Sequence, residues 1–556
     1  MYKNIYETDT RIHELFDQIL KDPNLFPLTI FESNDNEYNT KSIFKLKNLT
    51  HLQKCILYTK KYQFIEDYID EYLYLYPDEI EKRNNNENWT ALMIAAHNLN
   101  YNTSENIIRI LLDHGADPFV KTREGWNVLL LCSMNVHSSL SVSSLKLFVE
   151  LGFDINTQDN NGWSPLMLLT IYSHDLNIIK YLINSGANID SQNKKGWNAL
   201  MISTLYSKLP LKFKIMKILL EKGAKLDLKN QDGCTALMLA SLYSNFCSSE
   251  KAVKKLLKYG SNVNMTENQG WTALMMASRF SRNASSEETV KLLIQFGANL
   301  NMKEYEKGWN ALMLASYYSG SDSTENTVKL LLNYGSNLNI QDKNGWTPLM
   351  IASRYSRLTS TEKTVKILLK KGAEPDIQNR KGYTALMIAS KFSATDSSDY
   401  IIDLLLINNS SIDMVNKKGK TALMIASKNS NHTSSEKTVK ILLDNFADPN
   451  IQTPFGRTAL MLASRFSSYK SNNQTVKLLI EYGSDINLKN KKGRTALMTA
   501  AIFTNSTSSE LTVKILLEYG SCVDITNKKG LNALLLAYKY LYSTSTPNTL
   551  FILSEY

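Results

Sequence analysis

From about residue 88 onward, apolar and polar positions fall into two patterns that follow one another in fixed order. The first is a compact apolar run, such as ALMIAS at residues 385–390, preceded by a glycine and a polar residue. The second reads TVKILL, at residues 364–369 and again at 438–443, with its apolar positions spaced to form one buried stripe of a helix. Each pair predicts a short helix, a polar connection and a second, amphipathic helix. The glycine that opens the unit returns twelve times between Gly125 and Gly530. Nine of the eleven intervals are 37 residues, and Asn88 extends the series one step back. Thirteen units thus share one register, which is the signature of a stacked repeat rather than of a single core.

Helix boundaries can be read from the same register. Two residues after each anchor stands Thr, Ser or Asn, from Thr90, Asn127 and Ser164 through to Asn532. These are the residue types whose side-chain oxygens accept the free amide protons of a first helical turn. Pro165 and Pro348 occupy the following position, where a missing N–H costs nothing. For the second helix, Thr359 with Glu362, Thr433 with Glu436 and Thr507 with Glu510 have capping-box spacing. Gly335, Gly372, Gly483 and Gly520 mark its end, and Asn409 is a fair substitute. Phe446 is not, so a distorted helix end is expected there.

The run GWTPLMIAS at 345–353 followed by TVKILLKKGA at 364–373 resembles the ankyrin repeat, and the resemblance covers about residues 86–556. It implies an all-α solenoid of about thirteen units of paired antiparallel helices, with hairpin or turn loops projecting from one edge. Two departures stand out. Most units carry Thr-Ala-Leu-Met where the family has Thr-Pro-Leu-His, so methionine packing must replace histidine hydrogen bonds. Units also exceed the family's roughly 33 residues by about four. The excess falls in Ser/Thr/Asn-rich connections between the two helices, expected to form a second polar ridge. The abundance of Asn, Lys, Ile and Tyr, together with this architecture, resembles the long ankyrin-repeat proteins of large, mimivirus-like DNA viruses of amoebae. That resemblance implies a host-directed role in the host cytoplasm. Poxviral relatives often append an F-box-like module; only some 26 residues follow Gly530, so a direct ubiquitin-ligase adaptor is not expected.

Three segments are expected: an N-terminal helical segment at 1–49, including the amphipathic stretch 12–20; a degenerate capping repeat at 50–85; and the array at 86–556, whose last unit from 530 is a partial C-terminal cap. Terminal repeats must shield an apolar face from water, which favours the capping reading for the acidic, tyrosine-rich start. Residues 1–49 read equally as a small independent module.

Composition removes several functions. No apolar run approaches a membrane span, and the first ten residues show no secretory signal, so a cytoplasmic protein is expected. The five cysteines, Cys55, Cys132, Cys234, Cys247 and Cys522, lack paired spacing for zinc or a disulfide framework. Seven histidines, His13, His51, His97, His114, His137, His174 and His432, lie in different units without a repeated partner. No phosphate-binding glycine loop opens a helix. The chain is therefore read as non-catalytic, without metal or cofactor.

The informative constellation is the residue after the anchor glycine. It holds all seven tryptophans, Trp89, Trp126, Trp163, Trp197, Trp271, Trp309 and Trp346, then Tyr383, and then Lys420, Arg457 and Arg494. Stacking at roughly 10 Å per repeat would line them up at the base of the projecting loops. In ankyrin repeats this position commonly faces the partner, and tryptophan dominates binding hot spots. The rings can equally serve stability by packing on neighbouring loops. Charge is polarised as well: residues 416–556 carry 18 Lys and Arg against 9 Asp and Glu, whereas residues 1–85 carry 11 against 15. Such a gradient can steer an acidic partner to the C-terminal loops, or merely keep those loops solvated. The expectation is a monomeric scaffold or adaptor that binds a protein, acidic where it meets the basic end, and no membrane. The alternative is nucleic-acid binding by the basic repeats, disfavoured because the basic tips lack interleaved aromatics for base stacking.

Overall fold

A computed structural model of the chain describes residues 49–57, 59, 65–83, 88–99, 103–134 and 142–556. The expected helix at 12–20, and the N-terminal segment apart from its last residue, lie outside the described residues, as do His13 and His137. The described residues form 28 α-helices in consecutive pairs and no strand. The projecting loops are turns rather than β-hairpins; their nearest approach to strand pairing is an isolated bridge between Thr266 and Thr272. From residue 189 onward, first helices of successive repeats pack on one another, and each second helix lies against the first helix of its own repeat.

Two compact units result, Met1–Asn188 and Ile189–Tyr556. In the first, the pair His51–Leu57 and Ile65–Leu75 lies on the pair Ala91–His97 and Glu105–Asp113. Gln53 Nε2 donates to Trp89 O at 2.9 Å, Ser104 Oγ to Glu66 Oε1 at 2.5 Å, and His114 faces Asp70 at 2.7 Å. The second unit holds ten pairs, from Ala199–Leu205 with Pro210–Glu221 to Ala533–Lys539 with Pro547–Ser554.

Capping explains why such short helices hold. The thirteen predicted residues from Thr90 to Asn532 are all N-caps with extended backbone, each accepting the amide proton three residues on, as Thr384 does from Met387 at 3.3 Å. The second helix corrects the expectation. Its N-caps are Thr361, Ser435 and Ser509, not Thr359, Thr433 and Thr507. Glu362, Glu436 and Glu510 are consequently the first residues of their helices, too early to close a capping box. A carboxylate at this position instead receives the cap hydroxyl of the next repeat: Thr361 donates to Glu325 at 3.0 Å and Thr546 to Glu510 at 2.5 Å.

Thioether packing does stand in for histidine, since Met387 and Met424 are buried to 1%. The expected polar ridge is only half correct. Arg282, Asn283, Asn431 and His432 are exposed in the inter-helix connections, but Leu358 and Tyr469 project there too, and Ser323, Ser360, Ser397 and Ser434 in the same segments are buried. Ser397 Oγ donates to Ser353 O of the preceding repeat at 2.6 Å, and Ser323 Oγ likewise to Ser278 O at 2.7 Å. Backbone bonds join the same connections from repeat to repeat, for example Arg357 N to Asp396 O at 3.2 Å and Ala394 N to Thr433 O at 3.2 Å. The four extra residues thus add a polar seam between repeats.

Phe446 does not distort its helix. It takes φ 65° and keeps the closing bonds of a glycine-ended repeat, Phe446 N to Leu443 O at 3.0 Å and Ala447 N to Leu442 O at 3.1 Å. Its ring is 91% exposed and recovers little by burial. Left-handed backbone costs a non-glycine residue about 1–2 kcal/mol, so Phe446→Gly is expected to raise stability by about 1 kcal/mol. A urea midpoint that falls in this variant would contradict the strain argument.

Candidate functional site

From the loop of Trp126 onward, each loop is fixed from a residue just before the anchor, four places before the anchor-plus-one position in all but one unit. Its side-chain oxygen accepts the amide proton there: Asp159 from Trp163 at 2.7 Å, Asn193 from Trp197 at 2.9 Å, Asp342 from Trp346 at 2.7 Å, Asn379 from Tyr383 at 3.0 Å. Asn416, Thr453 and Asn490 do the same for Lys420, Arg457 and Arg494, each at 3.1 Å. At Trp309 the acceptor is Glu304, five places back, because this unit carries the one-residue insertion. Short polar side chains that turn back on the backbone make such turns rigid. From Gln231 onward successive tips are also bonded, as Arg380 N to Asn344 O at 2.9 Å, and that series breaks at Pro454, which has no N–H to give.

With the backbone fixed, the anchor-plus-one side chain lies against the end of its own repeat's first helix, eight residues on. Trp89 meets His97 edge-on with centroids 5.4 Å apart, and Trp309 meets Tyr317 at 5.3 Å. The guanidinium groups of Arg279 and Arg354 stand 5.8 Å from Trp271 and Trp346. One contact does reach the neighbouring loop, Trp309 Nε1 to Asp342 Oδ2 at 3.0 Å. Trp163 and Trp197 are only 2% exposed and offer almost no area to a partner. Trp89, Trp126, Trp271, Trp309, Trp346, Tyr383, Lys420 and Arg494 are partly exposed, and Arg457 is exposed.

A feature the sequence reading missed adjoins this row. In the Ile189–Tyr556 unit, cations at the ends of the first helices are sandwiched between aromatic rings of successive repeats. Arg279 lies 4.6 Å from Phe280 and 4.5 Å from Tyr318, Arg354 lies 4.8 Å from Tyr355 and 4.3 Å from Phe392, and Arg465 lies 5.3 Å from Phe466 and 4.4 Å from Phe503. Desolvated cation–π contacts of this kind contribute up to about 2 kcal/mol. Aromatics are therefore interleaved with the basic residues after all; those at the helix ends are covered by cations, whereas Phe455, at a loop tip, is exposed. The signal was present as an adjacent basic-aromatic pair ending the first helix, in RF, RY and KF at 279–280, 354–355 and 391–392.

The electrostatics change along this face. Arg354 is paired with Asp396 at 3.6 Å. Beyond it, burial together with neighbouring cations pushes Lys391, Lys428 and Arg465 below their ordinary pKa values, and Lys420 down to about 8. Burial raises the Tyr383 hydroxyl.

Models of the ankyrin repeat match the chain at residues 87–123 and, as overlapping triplets of repeats, from 134–230 through 211–304, 280–377 and 392–471 to 466–546. The chain is an ankyrin-repeat protein. No curated protein matches it. Ankyrin repeats are in general protein–protein interaction modules, typically non-catalytic. Among the described residues of this ankyrin-repeat protein, no three His, Cys, Asp or Glu side chains converge as a metal site would require, and no helix is long and apolar enough to cross a membrane.

Proposed function

We propose that this ankyrin-repeat protein is a non-catalytic scaffold or adaptor, acting as a monomer, that captures a protein partner on the face formed by the loop bases and the ends of the first helices. The observation that carries the reading is the row of partly exposed Trp271, Trp309 and Trp346, each held on a hydrogen-bonded turn. Large rings fixed before binding lose little entropy on contact and contribute disproportionately to affinity. The finer reading is an adaptor of a large DNA virus, directed at a host protein in the host cytoplasm; the Asn-, Lys-, Ile- and Tyr-rich composition supports it.

The test is affinity capture by the full chain from the native cell, with urea denaturation run in parallel. Trp271→Ala, Trp309→Ala and Trp346→Ala together are expected to reduce capture of the principal partner at least tenfold. Trp197→Phe, which alters a buried ring, is expected to leave capture unchanged. Undiminished capture by a triple variant that still unfolds cooperatively would overturn the proposal.

A further inference from the structure

The basic repeats carry more specific information about the partner. Two rows of cations run along them. Lys420, Arg457 and Arg494 follow the anchor glycines, and Lys391, Lys428 and Arg465 end the first helices; neighbours in each row are 37 residues, one repeat, apart. The rows are close enough to repel one another: Lys420 feels Lys428 and Arg457, Lys428 feels Arg457 and Arg465, and Arg465 feels Arg457 and Arg494. No carboxylate figures among the groups acting on Lys420, Lys428 or Arg465. The ion pair recorded on this face, Arg354 with Asp396, belongs to earlier columns.

Like charges held together, partly out of water and without counter-charge, cost free energy in the free protein. An anionic ligand removes that cost. The cations are also positioned in advance. Lys391 lies 4.7 Å from Phe392, Lys428 4.7 Å from Phe466, and Arg465 4.4 Å from Phe503. Between the two rows these contacts cover the rings of Phe392, Phe466 and Phe503, so bases have no open platform there on which to stack, and the complementary anion is a carboxylate-bearing chain.

Spacing selects the form of that chain. Stacked repeats advance by roughly 10 Å. A polyproline II segment rises about 3.1 Å per residue with three residues per turn. Every third side chain then points the same way and advances by about one repeat. We propose that the repeats anchored by Gly382, Gly419, Gly456 and Gly493 bind an acidic protein segment in extended polyproline II form, with Asp or Glu at every third position and each carboxylate set between the two cation rows. The proposal rests on the protein-binding reading above and adds the chemistry and register of the ligand.

The probe is a fluorescein-labelled 18-residue peptide of six Pro-Pro-Glu triplets, titrated by anisotropy against the full-length protein. The control has the same composition with its six glutamates on alternate residues. The triplet peptide is expected to bind at least tenfold more tightly than the control. Lys428→Glu with Arg465→Glu is expected to weaken it at least tenfold, and Lys428→Gln with Arg465→Gln to weaken it less, with cooperative urea unfolding retained in both. Equal affinity for the two peptides, indifference to both double variants, or tighter binding of an 18-nucleotide single strand would overturn the proposal. Capture that is lost in the tryptophan variants while this peptide fails to bind would remove the present inference and leave the scaffold reading standing.

Discussion

Replacing Gly382 by valine is expected to destabilise the Ile189–Tyr556 unit by about 3 kcal/mol or more, in two separable parts. Gly382 has φ +77°, a conformation that a side chain disfavours by about 1–2 kcal/mol and a β-branched one by more. A Cβ there would also sit 2.5 Å from Lys417 N and 3.0 Å from the Asn416 backbone, in the tip of the following repeat. Backbone cannot give way as a flexible side chain does, so the tips must separate, and overpacking of this kind adds about 1–3 kcal/mol. Gly372 provides the control. It has φ +91° but nothing within 4 Å of its would-be Cβ, so Gly372→Ala should lose only the conformational part, about 1 kcal/mol. Because stacked repeats are stabilised by nearest-neighbour contacts, the valine variant is also expected to broaden or split the urea transition. Equal shifts in the two variants would show that the close approach of the tips contributes nothing.

The close approach also shows which features were legible in the residues alone. Anchor glycines and N-caps declare themselves because each requirement is local: a left-handed turn needs glycine, and a first turn needs an oxygen two residues later. The caps of the second helix were placed two residues early because Thr359 and Glu362 have the right spacing for a box, while the choice between Thr359 and Thr361 depends on the neighbouring repeat. Phe446 was expected to disrupt its helix end, yet stacking on both sides imposes the geometry and the residue carries the strain. The row of tryptophans was visible as a register, but its exposure was not: whether Trp197 is buried and Trp271 partly open depends on what stands eight residues on and on the next loop. The cation–aromatic sandwich was hidden for a similar reason. Each Arg meets a ring 38 or 39 residues away, as Arg354 meets Phe392, and only the stack makes those residues adjacent.

The buried seam gives the second large effect. Thr438, which heads a TVKILL run and would pass for the polar start of an apolar stripe, is fully buried. Its Oγ1 lies 2.6 Å from Ser393 Oγ and 2.7 Å from Asp399 Oδ1, both in the preceding repeat. A hydroxyl has one proton to give, and an ionised carboxylate can only accept. Thr438 must therefore donate to Asp399 and receive from Ser393, with Ser435 supplying a second proton to Asp399 at 3.0 Å. The same buried pair recurs as Thr364 with Ser319, Thr475 with Ser430 and Thr512 with Ser467, at 2.6 to 2.7 Å. Valine at 438 keeps the shape but removes one bond to a charged group and one acceptor for Ser393. Bonds to charged groups are each worth about 1.5–3 kcal/mol, so Thr438→Val is expected to lose about 3 kcal/mol. Thr438→Ser keeps the hydroxyl and should lose only the methyl's share, about 1 kcal/mol. Urea denaturation of the two variants separates the contributions. An apolar side chain in a buried polar site can also stabilise, when the polar network serves to fix the register of neighbours rather than to hold them together. A valine variant more stable than the wild type would place the seam in that second class, with the apolar stripes of Val439, Leu442 and Leu443 carrying the cohesion of the stack.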